Sequence, residues 1–144
     1  NLEKENIPFY NSSFDTVLLT ETLEHFNFHP KKVFEEISRV LKPNGVIIIT
    51  TPNLLRLNNR IKCILGKSIN HDIKECYTPG THYREYSANE IKYLFNVVGL
   101  KTIKLKYIDF DYPNRSKIEA IINKVIGFCF PSLKSNLVII GMKE

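Results

Sequence analysis

Two short apolar runs rich in β-branched residues, FDTVLLT at 14–20 and VIIITT at 46–51, flank a helical pattern, and no other feature constrains the fold as much. Runs of this length and composition read as strands buried in a sheet. Between them, residues 30–41 place Val33, Phe34, Ile37, Val40 and Leu41 on one helical face. Pro30 suits the first turn of that helix, where its missing N–H has no helical partner. Asn11-Ser12-Ser13 forms a turn before the first strand, and Lys42-Pro43-Asn44-Gly45 turns the chain into the second. Strand, helix and strand at this spacing define an α/β fold with a mainly parallel sheet.

The same alternation continues downstream. Residues 54–65 (LLRLNNRIKCIL) predict an amphipathic helix with Arg56, Arg60 and Lys62 on its polar side. Packing on the sheet is the expectation for it, with a lid over a ligand or a membrane-surface helix as alternatives. Residues 66–80 have no period and read as a loop, including His71, Asp72 and Cys76, whose spacing matches no metal site. Ser87 and Glu90 predict a capping box, Ile91, Leu94, Phe95 and Val98 the apolar stripe behind it, and Gly99 the left-handed stop. A half-exposed strand over 100–108, a helix over 116–129 and a strand over 137–140 complete the order.

Composition excludes several classes. With 43% hydrophobic and 24% charged residues in 144, the chain is an ordinary globular domain rather than a disordered or fibrous one. No apolar run approaches the ~20 residues that span a bilayer. Cys63, Cys76 and Cys129 form no CxxC and predict reduced thiols in a cytoplasmic setting. The net charge of +5 reads as a lysine-rich solvated surface, since no tight basic run or stacking ladder marks a nucleic-acid site.

Four ordered phrases resemble the class I S-adenosylmethionine (SAM)-dependent methyltransferases: IPFYNSSFDTVLLTETLEH (7–25), FEEISRVLKPNGVIIIT (34–50), Thr51-Pro52-Asn53, and HYREYSANEIKYL (82–94) followed by Val98-Gly99-Leu100. The resemblance implies a Rossmann-like three-layer fold, of which residues 1–144 are a single partial domain carrying strands four to seven of the family's sheet. The family's Gly-rich loop, which lets the backbone approach the cofactor, has no counterpart: the glycines stand at 45, 66, 80, 99, 127 and 141, with no GxG. The expectation is a C-terminal half without its SAM-binding N-terminal half, inactive alone, with residues 14–20 left as an apolar sheet edge open to self-association.

The candidate chemistry lies in Glu21-Thr22-Leu23-Glu24-His25. If Glu21 opens a helical turn, Glu24 and His25 share its face. The segment also sits beyond the carboxyl end of a strand, where open α/β sheets bind ligands. Two carboxylates and an imidazole there suit a divalent cation such as Mg²⁺, and His25 with Glu24 suits general-base catalysis without one. The ExxEH spacing is similar to that of metal-assisted O-methyltransferases, and by that resemblance His82 completes a metal set of Glu21, Glu24, His25 and His82. By resemblance too, Thr20 and Glu21 lie beside the cofactor's methionine portion, and Phe9 packs at its adenine edge or is a plain core residue. Asn53, Tyr83, Arg84 and Tyr86 then face the acceptor, or else Asn53 belongs to a simple strand-ending turn and Tyr83, Arg84 and Tyr86 to a helix-entry segment that braces the fold.

The function this implies is SAM-dependent methylation, to oxygen, of a small molecule, glycan or lipid-linked precursor. Two counter-readings differ in class: a non-catalytic, partner-binding module, favoured by the missing Gly-rich loop, and a metal-assisted RNA 2′-O-methyltransferase, which would need an RNA-binding element.

Overall fold

The computed structural model describes residues 1–70, 80–109, 125 and 127–144. Its elements are β1 (Phe14–Thr20), α1 (Lys31–Val40), β2 (Leu41–Pro52), α2 (Leu57–Ile64), α3 (Ala88–Val97), β3 (Leu100–Ile108) and β4 (Asn136–Lys143), with single 3₁₀ turns at Leu23–His25 and Pro131–Leu133. The predicted strands at 14–20 and 100–108 have the observed limits, whereas β2 and β4 extend beyond the runs that identified them. Most of the helix expected over 116–129 and of the loop expected over 66–80, with His71, Asp72 and Cys76, lies outside the described residues.

The four strands form one sheet in the order β1-β2-β4-β3. Among the described strands only β1 and β2 run parallel; β4 is antiparallel to both β2 and β3. The expected mainly parallel sheet is therefore a mixed one. An apolar run reports burial on both faces but not direction, and β4 inserts between two strands that precede it in the chain. The expected three layers are also not complete among the described residues, where α1 and α3 join a single core on one face. That core joins Ile47, Ile49, Leu137 and Ile139 of the sheet to Val33, Phe34 and Ile37 of α1 and Ile91, Leu94 and Phe95 of α3.

Local chemistry sets the boundaries. Asn44 takes a left-handed φ of 64°, which asparagine tolerates, within the irregular stretch of β2 where its register with β1 shifts between Leu41 and Val46. Gly45 follows where a Cβ would lie 2.8 Å from the Lys42 carbonyl oxygen, so no larger residue fits. At α3 the capping box is formed in both directions: the Glu90 amide donates to Ser87 Oγ and the Ser87 amide to the Glu90 carboxylate. Gly99 ends the helix at φ 72°. Lys143 Nζ of β4 donates to the carbonyls of Ser38 and Leu41 at 2.7 and 2.8 Å, placing a cation on the C-terminal end of α1.

The two sheet edges differ. β3 carries Lys101, Lys104 and Lys106, all exposed, and an irregular register between Thr102 and Lys104, features that discourage further pairing. β1 has no lysine, and its Leu18 is 63% exposed. Residues 54–65 were expected to pack on the sheet, but only Leu57–Ile64 are helical and the sole buried residue of α2 is Asn59. The hydrophobic pattern was real; its direction relative to the domain was not encoded in it.

Gly141 of β4 gives Phe95 its place: a Cβ there would lie 2.6 Å from the buried ring. Gly141→Ala is expected to cost about 1–3 kcal/mol through overpacking. Thermal unfolding should show it as a fall in Tm of roughly 3–10 °C, and an unchanged Tm would mean that the α3–sheet packing described above is wrong.

Candidate active site

The candidate site lies at the carboxyl ends of the parallel pair β1 and β2. Glu21 directly follows β1, takes a left-handed φ of 45° and donates its amide to the Thr50 carbonyl at 2.9 Å. It extends the strand ladder by one residue instead of opening a helical turn, so it does not share a face with Glu24 and His25 as the spacing suggested. The turn begins two residues later, at Leu23. Glu21 stays exposed, and its charge still acts on Glu24.

Glu24 is fully buried. Its Oε2 accepts a hydrogen bond from Thr51 Oγ1 at 2.9 Å, while Oε1 has no hydrogen-bond partner among the described residues. Burial pushes the Glu24 carboxyl above the ordinary carboxylate range; hydrogen bonds, chiefly from its own backbone and then from Thr51, oppose this, Glu21 adds to it, and His82 opposes it. Thr51 falls in phase with Ile47 and Ile49 on the core face of β2, and that phase was the sequence signal for a buried hydroxyl serving a partner.

His25 Nδ1 lies 3.0 Å from the Thr81 carbonyl oxygen. A carbonyl can only accept, so this bond assigns the proton to Nδ1 and leaves the Nε2 lone pair exposed in the neutral ring. Nε2 is 4.0 Å from the orphan Oε1 of Glu24. The His82 ring meets the His25 ring edge-on, centroids 4.9 Å apart, and its Nδ1 lies 3.8 Å from Glu85 Oε1. One donor atom each from Glu24, His25 and His82 falls within 4.8 Å of the others. Of the expected metal set, the fold brings these three together and leaves out Glu21.

The segment carrying His82 is tied down by backbone bonds. The amides of Tyr83 and Arg84 both donate to the Glu24 carbonyl, at 2.8 and 3.2 Å. Tyr86 pairs with Asn53 in an isolated parallel bridge, and the Leu54 amide donates to the Tyr86 carbonyl. Glu85 accepts from Arg56 and Asn59. Glu85 and Thr81 were not singled out by the sequence; both act through groups whose partners are distant in the chain.

The four expected acceptor residues divide. Asn53 and Tyr86 are buried, and Asn53 donates to the carbonyls of Ser132 and Lys134, so both brace the site from beneath. Tyr83 is exposed, and Arg84 pairs with Glu90 and lies over the Tyr86 ring. Thr20 is exposed at the end of β1, and its carbonyl accepts from Thr22 Oγ1. Phe9 rests edge-on against Phe14 in a loop held by Arg39, which donates to the carbonyls of Ile7 and Phe9 while paired with Glu36.

Residues 2–49 match the family model described as a methyltransferase domain. Among curated proteins none matches the chain in sequence. The fold is similar to that of a SAM-dependent methyltransferase from Thermotoga maritima, described as a possible histamine N-methyltransferase (TM-score 0.66, 20% identity, 96% of this chain and 60% of that one). It is also similar to a SAM-dependent methyltransferase from Archaeoglobus fulgidus (TM-score 0.59, 17% identity, 92% and 61%). A third is the putative methyltransferase solved with the Trm112 activator from Haloferax volcanii (TM-score 0.59, 19% identity, 95% and 57%). The chain thus shares its α/β fold with these methyltransferases, and over residues 2–49 it resembles a methyltransferase domain in sequence as well. It spans about 60% of the length of these structures.

Because burial disfavours the Glu24 anion, the native state holds that proton to higher pH than the unfolded chain does. Stability then falls as pH rises from the ordinary carboxylate range through Glu24's raised pKa. Glu24→Gln, which keeps an oxygen for Thr51, is expected to flatten that part of the profile and to raise Tm by a few degrees above it. Thermal melts against pH in the presence of a chelator check this; identical profiles for the two proteins would contradict it.

Proposed function

We propose that this chain is the acceptor-side portion of a SAM-dependent methyltransferase, with Glu24, His25 and His82 as its chemical centre. The observation that carries the reading is the buried Glu24 Oε1, without a hydrogen-bond partner among the described residues, with His25 Nε2 4.0 Å away at the carboxyl ends of the parallel strands. The sulfonium of SAM is already a strong methyl donor, so the protein has to position the acceptor and remove its proton. With an acceptor hydroxyl at the site, His25 Nε2 would take its proton and Glu24, when ionised, would stabilise the resulting imidazolium. SAM, when bound, would supply the methyl group, with S-adenosylhomocysteine as the leaving group that keeps the electron pair of the C–S bond.

Thr20, Glu21 and Phe9 would border the cofactor. The sequence has no GxG, so a Gly-rich segment would come from polypeptide outside these 144 residues. The lysine-free edge of β1, unpaired among the described residues, would receive a further strand, from that polypeptide or from a second copy. Tyr83 and Arg84 would contact the acceptor, a small molecule, glycan or lipid-linked precursor, while Asn53 and Tyr86 hold them in place.

A cation-assisted form of the reading is favoured by the same orphan oxygen. Glu24 Oε1, His25 Nε2 and one His82 nitrogen form a two-imidazole, one-carboxylate set, which suits zinc, manganese, iron or cobalt better than the all-oxygen preference of Mg²⁺. Such an ion, when bound, supplies a lowered acceptor pKa.

In the intact enzyme, His25→Ala should lower kcat by about 10²–10⁴ with SAM affinity unchanged. Transfer of labelled methyl from SAM, alongside calorimetric titration of SAM, separates the two quantities. Native turnover in the variant would discard the catalytic assignment. SAM binding by neither this chain nor a longer protein would favour the non-catalytic module.

A further inference from the structure

The helix α2 is inverted with respect to the domain that carries it. At ~100° per residue, Leu57, Ile61, Ile64 and Leu65 fall on one side and Asn59 on the other. A surface helix ordinarily turns the apolar side inward. Here the inward residue is Asn59, 2% exposed, which donates to the Leu54 carbonyl and the Glu85 carboxylate. Leu57 is half-buried, and the rest of the apolar stripe faces out, with Ile64 84% exposed and Leu65 62%; Ile61 and the preceding Leu55 are exposed as well.

Charge sets what this stripe can meet. From Leu54 to Asn70 the sequence holds Arg56, Arg60, Lys62 and Lys67 and no acid. Arg56 is spent on Glu85 beneath the helix. Arg60 and Lys62 lie to either side of the apolar stripe, and Lys67 follows the helix; all three are exposed. Among the described residues none of these three is in an ion pair. An outward apolar stripe flanked by cations is the pattern of a helix lying in a membrane interface.

We propose that α2 docks this domain on an anionic phospholipid surface, inserting Ile61, Ile64 and Leu65 among the acyl chains with Arg60, Lys62 and Lys67 at the headgroups. Three large apolar side chains and three cations supply the two signals that reversible surface binding needs. Docking also fixes orientation. Asn59 and Arg56 hold Glu85, which stands beside His82, so the helix that touches the lipid braces the candidate site from the same side. The proposal does not depend on the methyltransferase reading, and its test involves no SAM.

Sedimentation with vesicles of equimolar phosphatidylglycerol and phosphatidylcholine, against pure phosphatidylcholine, tests it on the full chain. Binding is expected only to the anionic vesicles and should weaken as salt rises. Lys62→Ala and Lys67→Ala should each lower affinity about fivefold. Ile64→Glu should lower it tenfold or more while circular dichroism remains that of the native protein. Equal binding to both vesicle types overturns the proposal. So does the absence of vesicle binding, including the case where sedimentation finds a concentration-dependent dimer that Ile64→Glu abolishes, which would make α2 a protein–protein surface.

Discussion

The Glu24 main chain and side chain hold together parts of the protein that are far apart in sequence. Its carbonyl accepts two amide bonds from Tyr83 and Arg84, and its carboxylate takes the Thr51 hydroxyl. Three segments, following β1, ending β2 and preceding α3, are thereby fixed at one point. An apolar residue would fill the same volume at lower cost, because burying a carboxylate with one oxygen unsatisfied opposes folding. A carboxylate retained there, facing an imidazole nitrogen, makes sense as a site built for a proton, a cation or a substrate group.

The scaffold that holds this point is conventional in its physics. Ile47, Ile49, Leu137 and Ile139 bind the sheet to α1 and α3, and Lys143 and Ser38 close the far end of α1. The carboxyl ends of β1 and β2 open on the opposite side, where the polar residues collect. Core and chemistry are thus separated along the strands, and the transition falls at Thr50 and Thr51, the last residues before Pro52.

Local features were legible in the sequence because their causes are local. The limits of β1 and β3, the capping box at Ser87 and Glu90 and the stop at Gly99 follow from neighbouring residues alone. Sheet direction was not legible, since β4 pairs with strands nearly a hundred residues apart from it or separated by a long connection. The orientation of α2 was equally hidden: periodicity locates an apolar stripe but not the Asn59–Glu85 bond that turns it outward. At the site, the ExxEH spacing suggested Glu24 and His25 together, but the left-handed backbone at Glu21 removed that residue from the group. His82 entered by resemblance, and its place is set by the bonds of the adjoining Tyr83 and Arg84 amides to the Glu24 carbonyl, which no spacing could reveal.

The claim on which the site rests is that His25 carries its proton on Nδ1, bonded to the Thr81 carbonyl, and presents an unprotonated Nε2 towards Glu24. Long-range ¹H–¹⁵N NMR of the imidazole rings, with the protein neutral at its histidines and free of metal, reads the tautomer directly. The account predicts a protonated Nδ1 and a bare Nε2 for His25, lost as a preference when the Thr81 contact is broken. A His25 ring protonated on Nε2 would contradict it, because the nitrogen facing Glu24 could then neither accept a proton nor bind a cation.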